Sequence, residues 1–478
     1  MRLITQETIL ALATAPLPAG VAILRLSGVY AKTAALKICP SFKNTPSRMM
    51  HFAPLVSQDG THLDDALVVY FENPHSFTGE DVVEFHCHGG KATVQSIIDA
   101  LLAYNGVDDI KLRHAEAGEF SRRAFANGKM DLTAAEGMAD LIDAETEEQR
   151  KQALKQLNGS LGQRFDDWRE RIMHLVAHVE AAVDFPDEEL DILAEAGLKE
   201  KIEGLITDLT SAIETNAACR LREGFQIAII GKPNAGKSTL TNLLTGKSTA
   251  IVSDIEGTTR DIIESHLNIG GFPVVLSDTA GIRETEDVIE REGVGRAKGR
   301  ADEADIVVLL QDAADGEIVD DALSCHANSN NTLFIKTKTD INRMVEFDGL
   351  KFVGIMGNKL NYKVDYSDGV MPALALNLTS EESLPLILES LEKMIKAKFS
   401  SSQKAAGLTR ERHRRAVKEA LDHLQRAVFL YENPTPVSMS ELLAQDLRDA
   451  ASAIGRVTGA TDTEDILDLV FSTFCIGK

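Results

Sequence analysis

The chain has 478 residues, enough for about three domains, and 44% of them are hydrophobic, ample for sizeable cores. No apolar run approaches the ~18 residues a membrane span needs, and the segment Met1–Thr8 carries Glu7 and no apolar h-region, so neither a membrane partner nor a signal peptide is expected. A formal net charge of −23 argues against a large autonomous nucleic-acid surface. The scattered cysteines Cys39, Cys87, Cys219, Cys325 and Cys475 suggest neither a disulfide framework nor a zinc ribbon, and fit a reducing cytoplasm.

Residues 1–127 mix short strand-like runs with helices, an α+β pattern. Val21–Leu26, Ala66–Phe71 and Asp81–His86 read as strands, and Thr93–Leu102 as an amphipathic helix. His86 and His88 would share one face of a strand, but no third metal ligand is obvious nearby. Packing or polar roles are the expectation. From 128 to 222 the pattern is helical: Ala134–Thr146, then Leu161–Val183, then a stripe of Leu198, Ile202, Leu205, Ile206, Leu209 and Ile213. Asp184–Glu189 interrupts it.

Residues 223–399 alternate apolar strands with helices, as a parallel α/β sheet does. Strands are expected at Phe225–Ile230, Val274–Ser277, Ile306–Leu310 and Leu333–Lys336. Ile341–Val370 reads as an irregular surface elaboration. After about residue 400 the chain is helical again, at Arg412–Tyr431 and Ser440–Val457. The simplest architecture inserts the α/β domain into one helical domain whose halves, 128–222 and 400–478, flank it. The basic cluster Arg410, Arg412, His413, Arg414 and Arg415 reads as a solvated helix face rather than an RNA contact.

The chemistry starts at Gly231-Lys232-Pro233-Asn234-Ala235-Gly236-Lys237-Ser238, which follows an apolar strand and opens a helix. That is the context a phosphate-binding P-loop requires. Backbone N–H groups from Asn234 to Thr239 would face the phosphates. Lys237 would neutralise the β/γ oxygens and Ser238 would ligate Mg²⁺. Three signals follow in order. Gly257-Thr258-Thr259-Arg260-Asp261 reads as a switch loop whose Thr259 ligates Mg²⁺. In Asp278-Thr279-Ala280-Gly281, Asp278 would hold Mg²⁺ through water and the Gly281 N–H would touch the γ-phosphate. In Thr337-Lys338-Thr339-Asp340, Asp340 would accept from the guanine edge and select GTP over ATP. Together they indicate a Ras-like GTPase.

Two departures stand out. Thr337 replaces the usual Asn of the Asn-Lys-x-Asp signal; its hydroxyl can still bridge loops, at some loss of guanine affinity. The base-contacting loop is nearest to Asn377-Leu378-Thr379. A third gap is mechanistic. Ile282 stands where many GTPases carry a water-orienting Gln, which leaves Arg283, Glu284, Glu286 and Glu290 as candidates.

With these residues in hand, the chain resembles the MnmE (TrmE) family of tRNA-modification GTPases. Carrying the resemblance are the P-loop, Ala250–Asp261, the C-terminal Phe474-Cys475-Ile476-Gly477-Lys478, Ser76–Asp81, Gly118–Ser121 and Asp184–Glu189. It implies an N-terminal folate-binding domain that dimerises (1–127), then a helical domain (128–222 and 400–478) carrying a GTPase domain (223–399). It implies K⁺ where other GTPases use an Arg finger, held by Asn234 and by carbonyls of Ser253, Ile255 and Thr258. The GTP site would run from Asn234 to Thr239 and from Ser253 through Asp254, Ile255, Glu256 and Gly257 to Thr258. It would also take in Asp278, Thr279, Ala280, Gly281, Lys338 and Asp340. Glu290 would orient water, with Arg283 beside it and Lys237 on the phosphates.

The resemblance also assigns Arg25, Glu84, Lys129 and Lys478 to a 5-formyl- or 5,10-methylene-tetrahydrofolate site. From the residues alone, Arg25 and Glu84 read as an ordinary strand ion pair. Cys475 is a reactive thiol on the family reading and a small, partly buried tail residue otherwise. The implied function is carboxymethylaminomethyl or aminomethyl modification at the 5-position of the tRNA wobble uridine. It would be carried out by a homodimer with an FAD-containing MnmG (GidA) partner, in a cytoplasmic heterotetramer, the partner holding much of the tRNA. Two rivals are a bare regulatory GTPase switch and a folate-dependent transferase with a decayed GTPase domain.

Overall fold

A computed structural model of the chain describes residues 7–184, 197–214, 217–246, 264–277, 301–314, 331–340, 361–366, 369–400, 407–433, 439–461, 464–472, 474–475 and 477. By contact it divides into two compact units, Met1–Ala139 with Gln156–Leu193 and Thr435–Lys478, and Asp140–Lys155 with Ala194–Pro434.

The first unit is built on a six-stranded sheet of β1 (Thr8–Leu12), β2 (Ala19–Ser27), β3 (His51–Val56), β4 (His62–Phe71), β5 (Val82–Gly89) and β6 (Leu112–His114), in the order β3-β4-β5-β2-β1-β6. Neighbours are antiparallel except β1 and β6, which run parallel. Alternation sets the faces. On β5, Val83, Phe85 and Cys87 are buried, whereas Glu84, His86 and His88 point to the other, half-exposed face. The helices Ala31–Ile38 and Lys91–Leu102 cover the apolar face, and Leu24, Phe42, Val68, Phe85 and Ile97 fill the core between them. In the same unit the long helix Ser160–Asp184 packs along Met439–Thr458. A smaller apolar cluster joins Leu132 and Ala135 to Val470, Phe471 and Phe474 of the C-terminal tail.

The second unit contains a seven-stranded sheet. Its strands are β7 (Phe225–Gly231), β8 (Glu264–Ile269), β9 (Phe272–Ser277), β10 (Ile306–Asp312), β11 (Thr332–Thr337), β12 (Asn361–Tyr366) and β13 (Gly369–Ala375), ordered β12-β13-β11-β10-β7-β9-β8. The five inner strands run parallel and the two edges antiparallel. All six residues of β11 are buried, as are Ile227–Ile230 and Ile306–Gln311, which is what a parallel sheet covered on both faces demands. The helix Ser383–Ser400 contributes Ile387, Leu391 and Ile395 to this core. Also in this unit, the helix Leu198–Glu214 packs along Glu411–Glu432.

Three expectations are corrected. Part of Ile341–Val370 is not a surface elaboration: β12 and the start of β13 form a hairpin that extends the sheet. Residues 341–360 lie outside the described residues. The helix expected over Ala134–Thr146 ends at Asp143, and a new helix, Glu147–Leu157, begins. The reason is local. The Gln149 N–H donates to Thr146 Oγ1 (3.4 Å) and the Thr146 N–H donates to Gln149 Oε1 (3.0 Å), a capping box that restarts the helix. Finally, the basic cluster is not a solvated face. His413 is fully buried and Arg410 pairs with Asp140 at 2.7 Å.

Candidate functional site

The carboxyl ends of the parallel strands converge at β7, where β9 lies on one side and β10 on the other. This is the switch point at which open α/β sheets bind ligands. β7 ends at Gly231, whose left-handed φ of 155° brings its Cα so close to β10 that a Cβ would lie 2.5 Å from the Leu310 carbonyl oxygen. Only glycine fits there. The loop then rises through Asn234, itself at φ 63°, and turns back at Gly236 into the helix Lys237–Leu244. Gly236 is the N-cap and provides no side-chain cap. No side chain therefore caps the first turn of the helix, an arrangement suited to an anion. The Lys237 ammonium folds over the loop, donating to the carbonyls of Gly231 (2.9 Å) and Lys232 (3.0 Å). Ser238 and Thr239 are exposed and Ala235 is buried.

The third signal lies at the end of β11. Thr337 is buried, and its Oγ1 donates to the Ala235 carbonyl of the P-loop at 2.9 Å and to the Gln311 carbonyl of β10 at 3.2 Å. The hydroxyl therefore does bridge loops. Lys338 follows in a left-handed conformation (φ 59°), its ammonium 2.7 Å from Asp312 Oδ2 at the end of β10. Asp312 Oδ1 accepts from the Ala314 N–H at 3.0 Å. That backbone donor, and then Lys338, hold the Asp312 carboxyl below the usual carboxylate range. Asp340 is exposed. Asn377 also sits beside the P-loop: Leu376 N donates to the Lys336 carbonyl, and Leu378 lies within contact of Gly236. Asn377 Oδ1 accepts from both the N–H and the hydroxyl of Thr379, so this loop is a closed Asx turn.

Strand topology thus brings together Asn234, Ala235, Gly236, Lys237, Ser238 and Thr239 with Thr337, Lys338 and Asp340. Ser253, Asp254, Ile255, Glu256, Gly257, Thr258, Thr259, Asp278, Thr279, Ala280, Gly281, Arg283 and Glu290 lie outside the described residues. Sequence reading missed Asp312. The available signal was an acid ending a buried strand next to the P-loop strand.

A second constellation occupies the half-exposed face of the first sheet. Arg25 of β2 and Glu84 of β5 are directly opposite each other, with Arg25 Nε 2.8 Å from Glu84 Oε1. The strand ion pair read from the residues is therefore present. His86 Nε2 lies 3.4 Å from the other carboxylate oxygen, Oε2. The Arg25 guanidinium stacks 5.7 Å from the Phe120 ring and 5.9 Å from Phe77, and its Nη1 reaches the Gly477 carbonyl at 3.4 Å. The C-terminal tail is seated there. A Cβ on Gly477 would collide with the Leu12 carbonyl of β1, and Gly118 N donates to the Cys475 carbonyl at 3.5 Å. Lys129 donates to the Pro74 carbonyl (2.9 Å), on the loop that carries Phe77. Cys475 is exposed, and Lys478 lies outside the described residues. His88 pairs with Asp64 at 2.7 Å, whereas His86 only approaches the carboxylate that Arg25 holds. The Cys87 thiol faces the core, and burial pushes it up to about 11.

Beside it, on the same face of the sheet, lies a buried ion network. Arg123 is 6% exposed and meets Glu119 Oε1 (2.9 Å), Glu80 Oε2 (3.0 Å) and the Glu7 carbonyl (3.0 Å). Arg113 adds two bonds to Glu119. Ser27 Oγ donates to Glu80 Oε2 and is 2.7 Å from Thr78 Oγ1. Desolvation pushes the Glu119 carboxyl up, but Arg113, the Glu116 N–H and Arg123 together hold it below the usual range. The motif residues in Ser76–Asp81 and Gly118–Ser121 thus serve to lock the 72–81 loop to the helix Glu119–Ala126.

Comparison with known proteins places the chain. A family model described as "GTP-binding protein TrmE N-terminus" matches residues 8–129, and one described as "MnmE helical domain" matches residues 132–475. Among curated relatives named "tRNA modification GTPase MnmE", that of Parvibaculum lavamentivorans is 42% identical over 478 residues, covering 99% of this chain and 100% of its own. Those of Rhodospirillum rubrum and Caulobacter vibrioides are also 42% identical, each covering 99% of this chain and 100% of its own.

Proposed function

The chain belongs to the MnmE (TrmE) family, and from that premise we propose that it is a GTPase that drives modification of the tRNA wobble uridine. The observation that carries this reading is the Thr337 hydroxyl bond to Ala235. It joins the phosphate loop to the Asp340 base-reading edge, although the usual Asn is replaced. The site residues fit GTP with Mg²⁺. The uncapped first turn of the helix Lys237–Leu244 and Lys237 would receive the phosphates, exposed Ser238 would ligate the metal, and exposed Asp340 would read the guanine edge. When bound, Mg²⁺ offsets charge on the β/γ oxygens.

The finer assignments follow from the same membership. Asn234 is exposed at the loop crest, where its side-chain oxygen would serve a K⁺ ion together with the carbonyls of Ser253, Ile255 and Thr258. Thr259 would add a Mg²⁺ ligand. Glu290, with Arg283 nearby, would orient the attacking water, because Ile282 cannot hydrogen-bond. A tetrahydrofolate derivative would be held by Arg25, Glu84, Lys129 and Lys478. Glu84 suits the donor edge of a pterin, while Arg25 and the lysines suit carboxylates. In support, the tail residue Gly477 meets Arg25. We assign folate binding and homodimerisation to 1–127, GTP hydrolysis to 223–399, and helical scaffolding to 128–222 and 400–478. An FAD-containing MnmG partner would complete the modification and hold much of the tRNA, as the net charge of −23 favours. Among the described residues no helix is long and apolar enough to cross a membrane.

The test is GTP hydrolysis in KCl against NaCl at matched ionic strength. The expected outcome is strong stimulation by K⁺. Equal, slow rates in both salts would remove the Asn234 cation site from this proposal.

A further inference from the structure

The nucleotide reading assigns Lys338 and Asp340 but gives no part to Asp312, which ends β10 directly opposite Thr337 in the parallel ladder. Five contacts fix these strand ends. Ala313 N donates to the Thr337 carbonyl at 3.0 Å, and Thr337 Oγ1 ties β11 to Ala235 and to Gln311. The Lys338 ammonium then closes onto Asp312 Oδ2 at 2.7 Å, while Asp312 Oδ1 is itself fixed by the Ala314 N–H. Among the described residues Asp312 is the one partner of that ammonium.

Lys338 needs such a partner. Its backbone is left-handed, a conformation that a lysine holds only where its surroundings enforce it. The pair is partly exposed, 39% for Lys338 and 24% for Asp312, so it adds little to folding. Its value lies in geometry. Lys338 stands between Thr337, which is anchored on the phosphate loop, and Asp340, which faces solvent two residues on.

We propose that Asp312 is a positioning residue for guanine recognition. Its carboxylate fixes Lys338, and through Lys338 the strand end that presents Asp340. The proposal rests on the GTPase reading and extends it to a residue on the neighbouring strand. Removing the carboxylate frees the Lys338 side chain and relaxes the turn that aims Asp340, so base discrimination falls along with affinity.

The experiment uses the full chain and a fluorescent GDP. Asp312→Asn, Lys338→Met and the double variant are compared with the parent for dissociation rate, for GDP-over-IDP preference and for melting temperature. Hypoxanthine lacks the 2-amino donor that Asp340 would accept, so the preference reports base alignment. The expected result for Asp312→Asn is about ten-fold faster GDP release, the scale of one lost charge-assisted contact. The GDP-over-IDP preference shrinks while melting is unmoved. Lys338→Met reproduces this, and the double variant is no worse than the poorer single variant. Unchanged release by Asp312→Asn overturns the proposal, as do additive losses in the double variant. An equal loss for GDP and IDP with a lowered melting temperature also overturns it, since that marks a purely structural tie. Should Asp312→Asn fail to fold, Lys338→Met decides alone: undiminished preference in it sinks the idea. A parent chain that binds no guanine nucleotide would sink the GTPase reading itself, a result distinct from all of these.

Discussion

The P-loop edge of the second sheet and the Arg25–Glu84 face of the first are built from different material. At the P-loop the groups that would face a nucleotide, main-chain N–H donors and the Lys237 ammonium, come from one contiguous stretch, Gly231 to Thr239, at one strand end and one helix start. On the other face the charged groups belong to side chains brought in from both ends of the chain: Arg25 meets Glu84 across two strands and Gly477 from the tail. The first site depends on backbone conformation, which a few residues dictate. The second depends on tertiary contacts, supported alongside by the Arg123 network. Changes at the P-loop should therefore cost binding with little cost in stability, and changes in the Arg123 network should do the reverse.

The sharpest way to break that contrast is Lys237→Ala. Hydrogen bonds to charged groups contribute about 1.5–3 kcal/mol each, and Lys237 would make them to two phosphates. Guanine-nucleotide affinity should fall by more than about 100-fold, with melting close to the parent's. Calorimetric titration checks the first and thermal unfolding the second. Affinity that survives would remove Lys237 from the phosphate site.

Arg123→Ala tests the other side. It leaves Glu80 and Glu119 facing each other in a buried place without their shared cation. Breaking a buried pair costs about 3–5 kcal/mol, so the first unfolding transition in a denaturant titration should shift markedly, while GTP affinity stays near the parent's. A shift under about 1 kcal/mol would mean that Arg113 alone holds Glu119.

Thr337→Val lies between the two regimes, because it removes a hydroxyl from a buried position but touches no ligand. The Ala235 carbonyl loses the hydroxyl that bonds it at 2.9 Å, at about 1–3 kcal/mol for a buried hydrogen bond broken on one side. Nucleotide affinity should drop about ten-fold and be restored by Thr337→Ser. Failure of the serine rescue would show that the methyl packing, not the bridge, matters.

The same contrast decides what could be read from the sequence. The β7, β10 and β11 runs are continuously apolar because both faces are covered, and their turns carry the motifs, so strands and site emerged together. β8, with the sequence Glu-Ser-His-Leu-Asn-Ile, and β12, with Asn-Tyr-Lys-Val-Asp-Tyr, are edge strands whose polar residues hide the pattern; antiparallel pairing with β9 and β13 makes them strands. β1 is missed for the opposite reason. Thr-Ile-Leu-Ala-Leu suits a helix as well as a strand, and its place between β2 and β6 decides. At the sites, Arg25 and Glu84 were legible as a pair, but the Glu80–Arg123–Glu119 network was not. Its partners lie 43 residues apart along the chain at one contact and four at the other, and nothing in the spacing announces the meeting.

The smallest expected effect concerns acid. In the folded chain Glu119 is held below the ordinary carboxylate range: burial works against its ionised form, but Arg113, the Glu116 N–H and Arg123 outweigh it. A depressed folded value means that the ionised carboxylate stabilises the fold fully above the unfolded-state pKa. That contribution fades as pH falls through the folded one. Stability should therefore be flat from neutral down to the ordinary carboxylate range and decline below it. In Glu119→Gln the decline should be shallower and the neutral-pH stability lower, because Arg113 and Arg123 then face an uncharged amide. Denaturant titrations of the parent and Glu119→Gln across that range give the comparison. Parallel curves would mean that the acid sensitivity arises elsewhere, and that the Arg123 network is held by Glu80 rather than by Glu119.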